Sequence, residues 1–293
     1  MTPSPAERCS DLAAGLDEPM AGTADHRERW LLVEDGSAWG DHAVRDVLGR
    51  ELEAAAKERR MRLLLVRRRE AAGAEDGAGR QAFLADLASG RIARRLISEP
   101  FELHALLDAP LETFGAVSTE PMLLVCTNGR RDACCALRGR ALMGTLAADH
   151  AARTWECTHL GGHRFAGNLV CLPHGFLYGR VAPDDGPRLA DAYLRGEVDP
   201  ALLRGRSTWP EAAQVAEIAL RFALGLSAVD GVALRSANRD GDEATVELDA
   251  AGRMHRFALV AERLEPARPI SCRGDKLEAP LHWRVVRSEL GSS

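Results

Sequence analysis

Four side chains stand out because of their type and spacing. Cys126 and Cys135 lie nine positions apart in CTNGRRDACC, and His159 and His163 lie four apart in THLGGHRFAGN. Each pair falls where an apolar run gives way to a polar loop. Cysteine as thiolate and histidine as neutral imidazole both bind zinc or iron. The eight residues between the two cysteines make too long a loop for a zinc-knuckle turn, and the chain has no CxxC of the knuckle or thioredoxin type. Such a loop suits one side of a larger inorganic core. Gly161 and Gly162 argue against a helix between the histidines. They favour a tight loop that brings two imidazoles onto one atom.

Two thiolates on one iron and two imidazoles on the other is the ligand arithmetic of a mixed 2Fe-2S cluster. Neutral imidazoles make such a cluster less negative and easier to reduce: Rieske centres span about −150 to +300 mV, against about −400 mV for plant-type ferredoxins. The free ring nitrogens of His159 and His163 would couple electron to proton uptake, so the potential should fall as pH rises through their pKa. The same four donors also satisfy tetrahedral zinc, which would make the chain a zinc-stabilised binding or structural module. A thiol oxidoreductase built on Cys134 and Cys135 is disfavoured, because adjacent cysteines form only a strained disulfide.

The central stretch resembles the sucrase/ferredoxin-like family. RDxCC, GGHRFAGN and LPHGFLYGR carry the likeness, with weaker support from EPMAGTA at 18–24 and from RGRSTWPEAAQ. The resemblance implies a thioredoxin-like ferredoxin with two cysteines on a loop after the first strand and two histidines on a later loop. It assigns the cluster to Cys126, Cys135, His159 and His163, and implies an electron carrier served by a redox partner protein. No paired carboxylates in a glycosidase setting support a sucrase activity.

The neighbours of these four have plainer roles. Cys134 is expected to pack near a helix start, Cys157 to be a half-buried strand residue, and Cys9, Cys171 and Cys272 to be structural. His174 is expected in a solvated hairpin turn. Arg130, Arg131 and Arg164 would form a solvated rim, or a cationic collar for an acidic partner or anionic substrate. Asp132 reads as a helix cap and Asn168 as an amide that fixes the loop.

Composition excludes several classes. Net charge is −5 over 293 residues, with no basic field for nucleic acid. Seven cysteines, five of them within 126–171, do not form a spread, even disulfide framework, and suggest a reduced compartment. The N-terminus has no apolar signal region, and the stretch near Ile218 to Leu226 is too short to span a bilayer. A cytoplasmic protein without nucleic-acid or membrane partners is expected. No GxGxxG follows a strand, so no nicotinamide or flavin site is expected and electrons must come from another protein.

The elements that must position the four residues form two similar units. Strand, helix, strand begins near 30, 41 and 61 and again near 121, 133 and 153. The first helix should be capped by Asp41 and run to about Arg60. The second should be capped by Asp132, with Gly139, Leu142, Met143, Leu146, Ala147 and His150 inward and Gly139 and Gly144 permitting close backbone approach. AFLAD at 82–86 falls over GFLYG after a similar shift. A degenerate duplication, with ligands kept only in the second copy, would give this pattern; so would two unrelated β-α-β units. A loop is expected at 71–79 and a hairpin over 169–181. A capping box from Thr208 to Glu211 should start a helix burying Val215, Ile218, Ala219, Phe222 and Leu226. Alternating strands should follow. The expected fold class is α/β (α+β). An extended lead-in, 1–28, and an α/β region, 29–117, precede a thioredoxin-like ferredoxin module, 118–198, and a small α+β region, 199–293, follows.

Overall fold

The computed structural model of the chain describes residues 8–68, 79–273 and 276–291. The lead-in is not wholly extended: α1 (Cys9–Gly15) lies within it. The first unit is β1 (Arg29–Glu34), α2 (Ala43–Leu48), α3 (Arg50–Glu58), β2 (Arg62–Arg67), β3 (Arg80–Asp86) and β4 (Arg91–Ile97). The one helix expected over 41–60 is two, because Gly49 at φ 86° ends α2 and starts α3. Asp41 caps neither; it pairs with Arg273 instead. A 3-10 turn, Pro100–Leu106, α4 (Leu111–Phe114) and β5 (Ala116–Ser118) complete this half. Residues 71–78 of the expected loop lie outside the described residues.

The second unit is β6 (Met122–Cys126), α5 (Ala133–His150), β7 (Thr154–Cys157), β8 (Leu169–Leu172), β9 (Phe176–Tyr178) and α6 (Asp185–Leu194), followed by β10 (Leu203–Arg206). All five residues of β6 are buried, as suits a central strand. One sheet contains both units, in the order β10-β9-β8-β6-β7-β2-β1-β3-β4-β5. In each half the second strand pairs parallel with the first, the third pairs antiparallel on the first strand's other side, and the fourth pairs antiparallel with the third. This is a thioredoxin-like connectivity repeated twice. The halves meet where β2 runs antiparallel to β7, through Val66–Cys157 and Arg67–Glu156. The fit of AFLAD to GFLYG fails, however. AFLAD is in a third strand and GFLYG in a fourth; the topological counterpart of β3 is β8.

Alternation along the strands divides the core. Leu123 and Val125 join Leu142, Met143 and Leu146 of α5, and Leu31, Val33 and Leu65 join Leu52 of α3. The opposite sheet face carries one cluster shared by both halves, including Trp30, Leu32, Val66, Phe83, Leu124, Trp155, Cys126 and Cys135. Past this sheet, α7 (Glu211–Leu224) follows Pro210, which bears no side-chain cap, so the Thr208 capping box is not formed. The helix buries Val215 and Ile218, but Phe222 is exposed. It packs on an antiparallel sheet of β11 (Ala233–Asp240), β12 (Glu243–Ala250), β13 (Arg253–Arg263) and, after the β14 (Arg268–Pro269) and β15 (Leu277–Glu278) pair, β16 (Leu281–Glu289).

The contact that sets Cys126 against α5 is backbone on backbone. A Cβ on Gly139 of α5 would lie 2.0 Å from the carbonyl oxygen of Cys126, so the helix lies directly on the end of β6. Gly139→Ala should therefore destabilise the fold by about 1–3 kcal/mol through overpacking, although alanine is the better helix former by about 1 kcal/mol. Gly15→Ala, which meets nothing within 4 Å, serves as the control. Urea denaturation of both variants tests the contact; a Gly139→Ala midpoint at or above the parent's would refute it.

Candidate metal centre

Cys126 is the last residue of β6, and its N–H donates to the Asn168 carbonyl at 3.2 Å. Cys135 lies in the first turn of α5, whose start is set by Asp132: the Asp132 carboxylate accepts the Cys134 N–H at 2.9 Å. The expected cap is thus formed. His159 follows β7 in the loop, and His163 opens the 3-10 turn His163–Phe165 after Gly161 and Gly162 at φ 87° and 66°. Those two backbone angles turn the chain back within two residues.

The donor atoms of Cys126, Cys135 and His159 lie within 4.8 Å of one another. His163 falls outside that set, but its ring stacks on His159 with centroids 4.0 Å apart and planes 14° apart. Both sulfurs are buried, and the His163 side chain is 13% exposed. The Nδ1 atoms of His159 and His163 are buried and have no hydrogen-bond partner. Such orphaned nitrogens are costly unless something binds them. A hydrogen bond from Cys135, and the adjoining His159 ring, hold Cys126 well below the usual thiol range against the effect of burial. That hydrogen bond and burial push Cys135 up. The pair alone thus favours one thiolate, and a bound cation is what would ionise both. Burial and the neighbouring His159 bring His163 down to about 4, which leaves it neutral and able to ligate.

A buried arginine that sequence reasoning did not single out organises the ligand loop. Arg204, from β10, donates to the Gly161 carbonyl at 3.1 Å, the Asn168 side chain at 2.7 Å, and Thr23 Oγ1 and O at 2.9 and 2.6 Å. Asn168 in turn donates to the Gly162 carbonyl at 3.1 Å, which is the loop-fixing role expected of it. A Cβ on Gly162 would fall 2.4 Å from the guanidinium. Among the described residues Arg204 pairs with no carboxylate; burial lowers its pKa to about 9, and Cys126 is among the groups that raise it. Its only sequence signal was membership of the RGRSTWPEAAQ stretch. Arg62 also donates to the His159 carbonyl.

Other expectations need revision. Arg164 is not a free rim charge: it donates to buried Glu18 at 2.6 Å, and Glu18 also holds Arg268 at 3.0 Å. Arg130 and Arg131 are exposed. Cys157 is fully buried in the shared cluster, so it is more enclosed than a half-buried strand residue. Cys171 is also in the core. His174 is half-buried rather than fully solvated; its Nδ1 lies 2.7 Å from the Tyr193 hydroxyl, and burial lowers its pKa. Cys134 does more than pack, because it meets Cys9 and Cys272.

Over 87 residues, 26% of this chain and 31% of the relative, the chain is 32% identical to a Meyerozyma guilliermondii protein named altered inheritance of mitochondria protein 32. The protein of the same name from Candida glabrata is 24% identical over 119 residues, 39% of this chain and 36% of that protein. The chain thus matches about a third of the length of these curated relatives. No solved structure matches it. Among the described residues no helix is long and apolar enough to cross a membrane. The family profile described as sucrase/ferredoxin-like matches residues 20–205, more than half of the sequence, and on that match the chain belongs to the sucrase/ferredoxin-like family.

Proposed function

We propose that the chain is an electron-transfer protein carrying one 2Fe-2S cluster, with Cys126 and Cys135 on one iron and His159 and His163 on the other. The observation that carries this is the convergence of two buried sulfurs and two stacked imidazoles whose buried Nδ1 atoms have no hydrogen-bond partner. The donor set fits the group. When bound, the cluster would accept and release single electrons, with a potential raised by its neutral ligands. Arg204 supplies a buried positive charge beside the thiolates and would favour the reduced, more negative state. The Leu160 N–H, which helps hold Cys126 ionised, would act in the same direction.

The alternative is a zinc-stabilised thioredoxin-fold module. Four donors on one zinc, at about 2.0–2.3 Å from the metal, would lie within about 4 Å of each other. The 4.8 Å set contains Cys126, Cys135 and His159 without His163, three donors where a closed zinc site takes four. A partner protein would supply and take the electrons, and direct reduction of a small molecule such as a ferric chelate is a further use of the same centre. The relatives' name refers to inheritance of mitochondria, so a mitochondrial compartment stands beside the cytoplasm as the place of action.

Iron and labile-sulfide analysis with electron paramagnetic resonance of the dithionite-reduced protein tests the proposal. Equal iron and sulfide, about two of each per chain, and a signal whose g-values change in His159→Cys and His163→Cys are expected. A colourless protein with about one zinc would overturn it. Arg204→Gln should lower the midpoint potential by roughly 50–100 mV, the one-electron equivalent of about 1–2 kcal/mol of lost charge stabilisation. Protein-film voltammetry measures this, and an unchanged potential removes Arg204 from that role. Across a pH series the potential should fall by up to about 59 mV per unit above the pKa of the ligand histidines, and a flat profile would exclude proton-coupled reduction.

A further inference from the structure

Cys9, Cys134 and Cys272 come from three distant parts of the chain: the start of α1, the first turn of α5 and the turn after β14. Their sulfurs form a triangle with edges of 3.6, 3.2 and 3.5 Å. All three are free thiols. Both Asp132 carboxylate oxygens are 3.9 Å from the Cys9 sulfur. One of them accepts the Cys134 N–H, and the other accepts the Cys272 N–H at 2.8 Å and the Ser271 hydroxyl at 3.0 Å. The four donor groups lie within 4.8 Å of each other.

From this geometry we infer a second metal site, in which Cys9, Cys134 and Cys272 with Asp132 hold a structural zinc ion. It is separate from the proposed cluster, although Cys134 and Cys135 are adjacent. About 100° of helix rotation separates them, so that Cys134 meets Cys9 and Cys272 while Cys135 meets Cys126. A zinc about 2.3 Å from each sulfur would sit roughly 1 Å above the triangle, and the fourth tetrahedral position falls to a carboxylate. Thiolate-rich, closed coordination selects zinc over magnesium or calcium. Binding releases the thiol protons to solvent and changes no oxidation state.

Packing alone accounts poorly for the cluster. Among the described residues the apolar group there is Cys9, Cys134 and Ala166, Cys272 is exposed, and Asp132 is fully buried with no arginine or lysine paired to it, its basic neighbour being the neutral His163 ring at 3.9 Å. A buried carboxylate surrounded by sulfurs lacks the opposite charge that burial ordinarily demands. A divalent ion would supply it and tie the two ends of the chain to α5.

The test uses the full chain, purified under reductant, with zinc, iron and labile sulfide measured together. Cys9→Ala and Cys272→Ala should each lower zinc by about one equivalent and leave iron and sulfide unchanged. Cys126→Ala should do the reverse for iron and keep this zinc, so failure of the cluster proposal and failure of this one are distinguishable. Hydrogen exchange at 9–16 and 268–273 should rise in the Cys9 and Cys272 variants. The proposal is overturned if the parent, given equimolar zinc, retains less than a tenth of an equivalent. Zinc contents in both variants equal to the parent's, or a disulfide within the trio in the reduced protein, would also overturn it.

Discussion

A single buried carboxylate constrains the second half of the large sheet. Asp132 has no exposure, and burial works to raise its pKa, but the N–H groups of Cys272 and Cys134 outweigh that and hold it lower. An ionised carboxylate in such a place must be fully hydrogen-bonded, and its partners are thereby fixed. It sets where α5 begins, and so where Cys134 and Cys135 point. It also draws in the turn at Ser271 and Cys272 and lies 3.9 Å from His163. One residue thereby joins a helix start, a C-terminal turn and the histidine loop.

The loop that carries the histidines is secured mostly by cations. Gly161, Gly162 and the peptide at His159 present carbonyls to Arg204, Asn168 and Arg62. Glu18 binds Arg164 from the loop and Arg268 from the C-terminal part. Charge-assisted bonds of this kind set orientation more sharply than apolar contact does.

The two halves of the large sheet share strand order and direction, yet the cysteine and histidine cluster lies in the second. Where β6 ends in Cys126, β1 ends in Glu34 and is followed by Asp35, which is buried. Asp35 accepts from the Ser37 hydroxyl at 2.6 Å and the Trp39 ring nitrogen at 3.0 Å, with Arg80 at 3.5 Å. The strand end in the first half is thus closed by side chains of its own loop. In the second half the strand end faces Cys135 and His159 instead. A common origin fits this pattern, with the first copy serving as a scaffold joined through β2 and β7.

The sequence by itself determined what depends on local chemistry. Apolar density marked β6, an N-cap aspartate marked α5, Gly139 marked the close helix–strand approach, and glycine punctuation marked the histidine loop, because each acts within a few residues. Local reasoning failed where a neighbour in space competed with one in sequence. Asp41 was drawn from its cap by Arg273, and Gly49 broke a helix whose apolar pattern ran through it. Only the tertiary structure decided that Arg204 lies under the ligand loop and that Cys9, Cys134 and Cys272 meet. Those contacts join residues far apart in the chain, so no spacing encodes them. They arise from the need of buried charges and thiols to find partners once the sheet has formed.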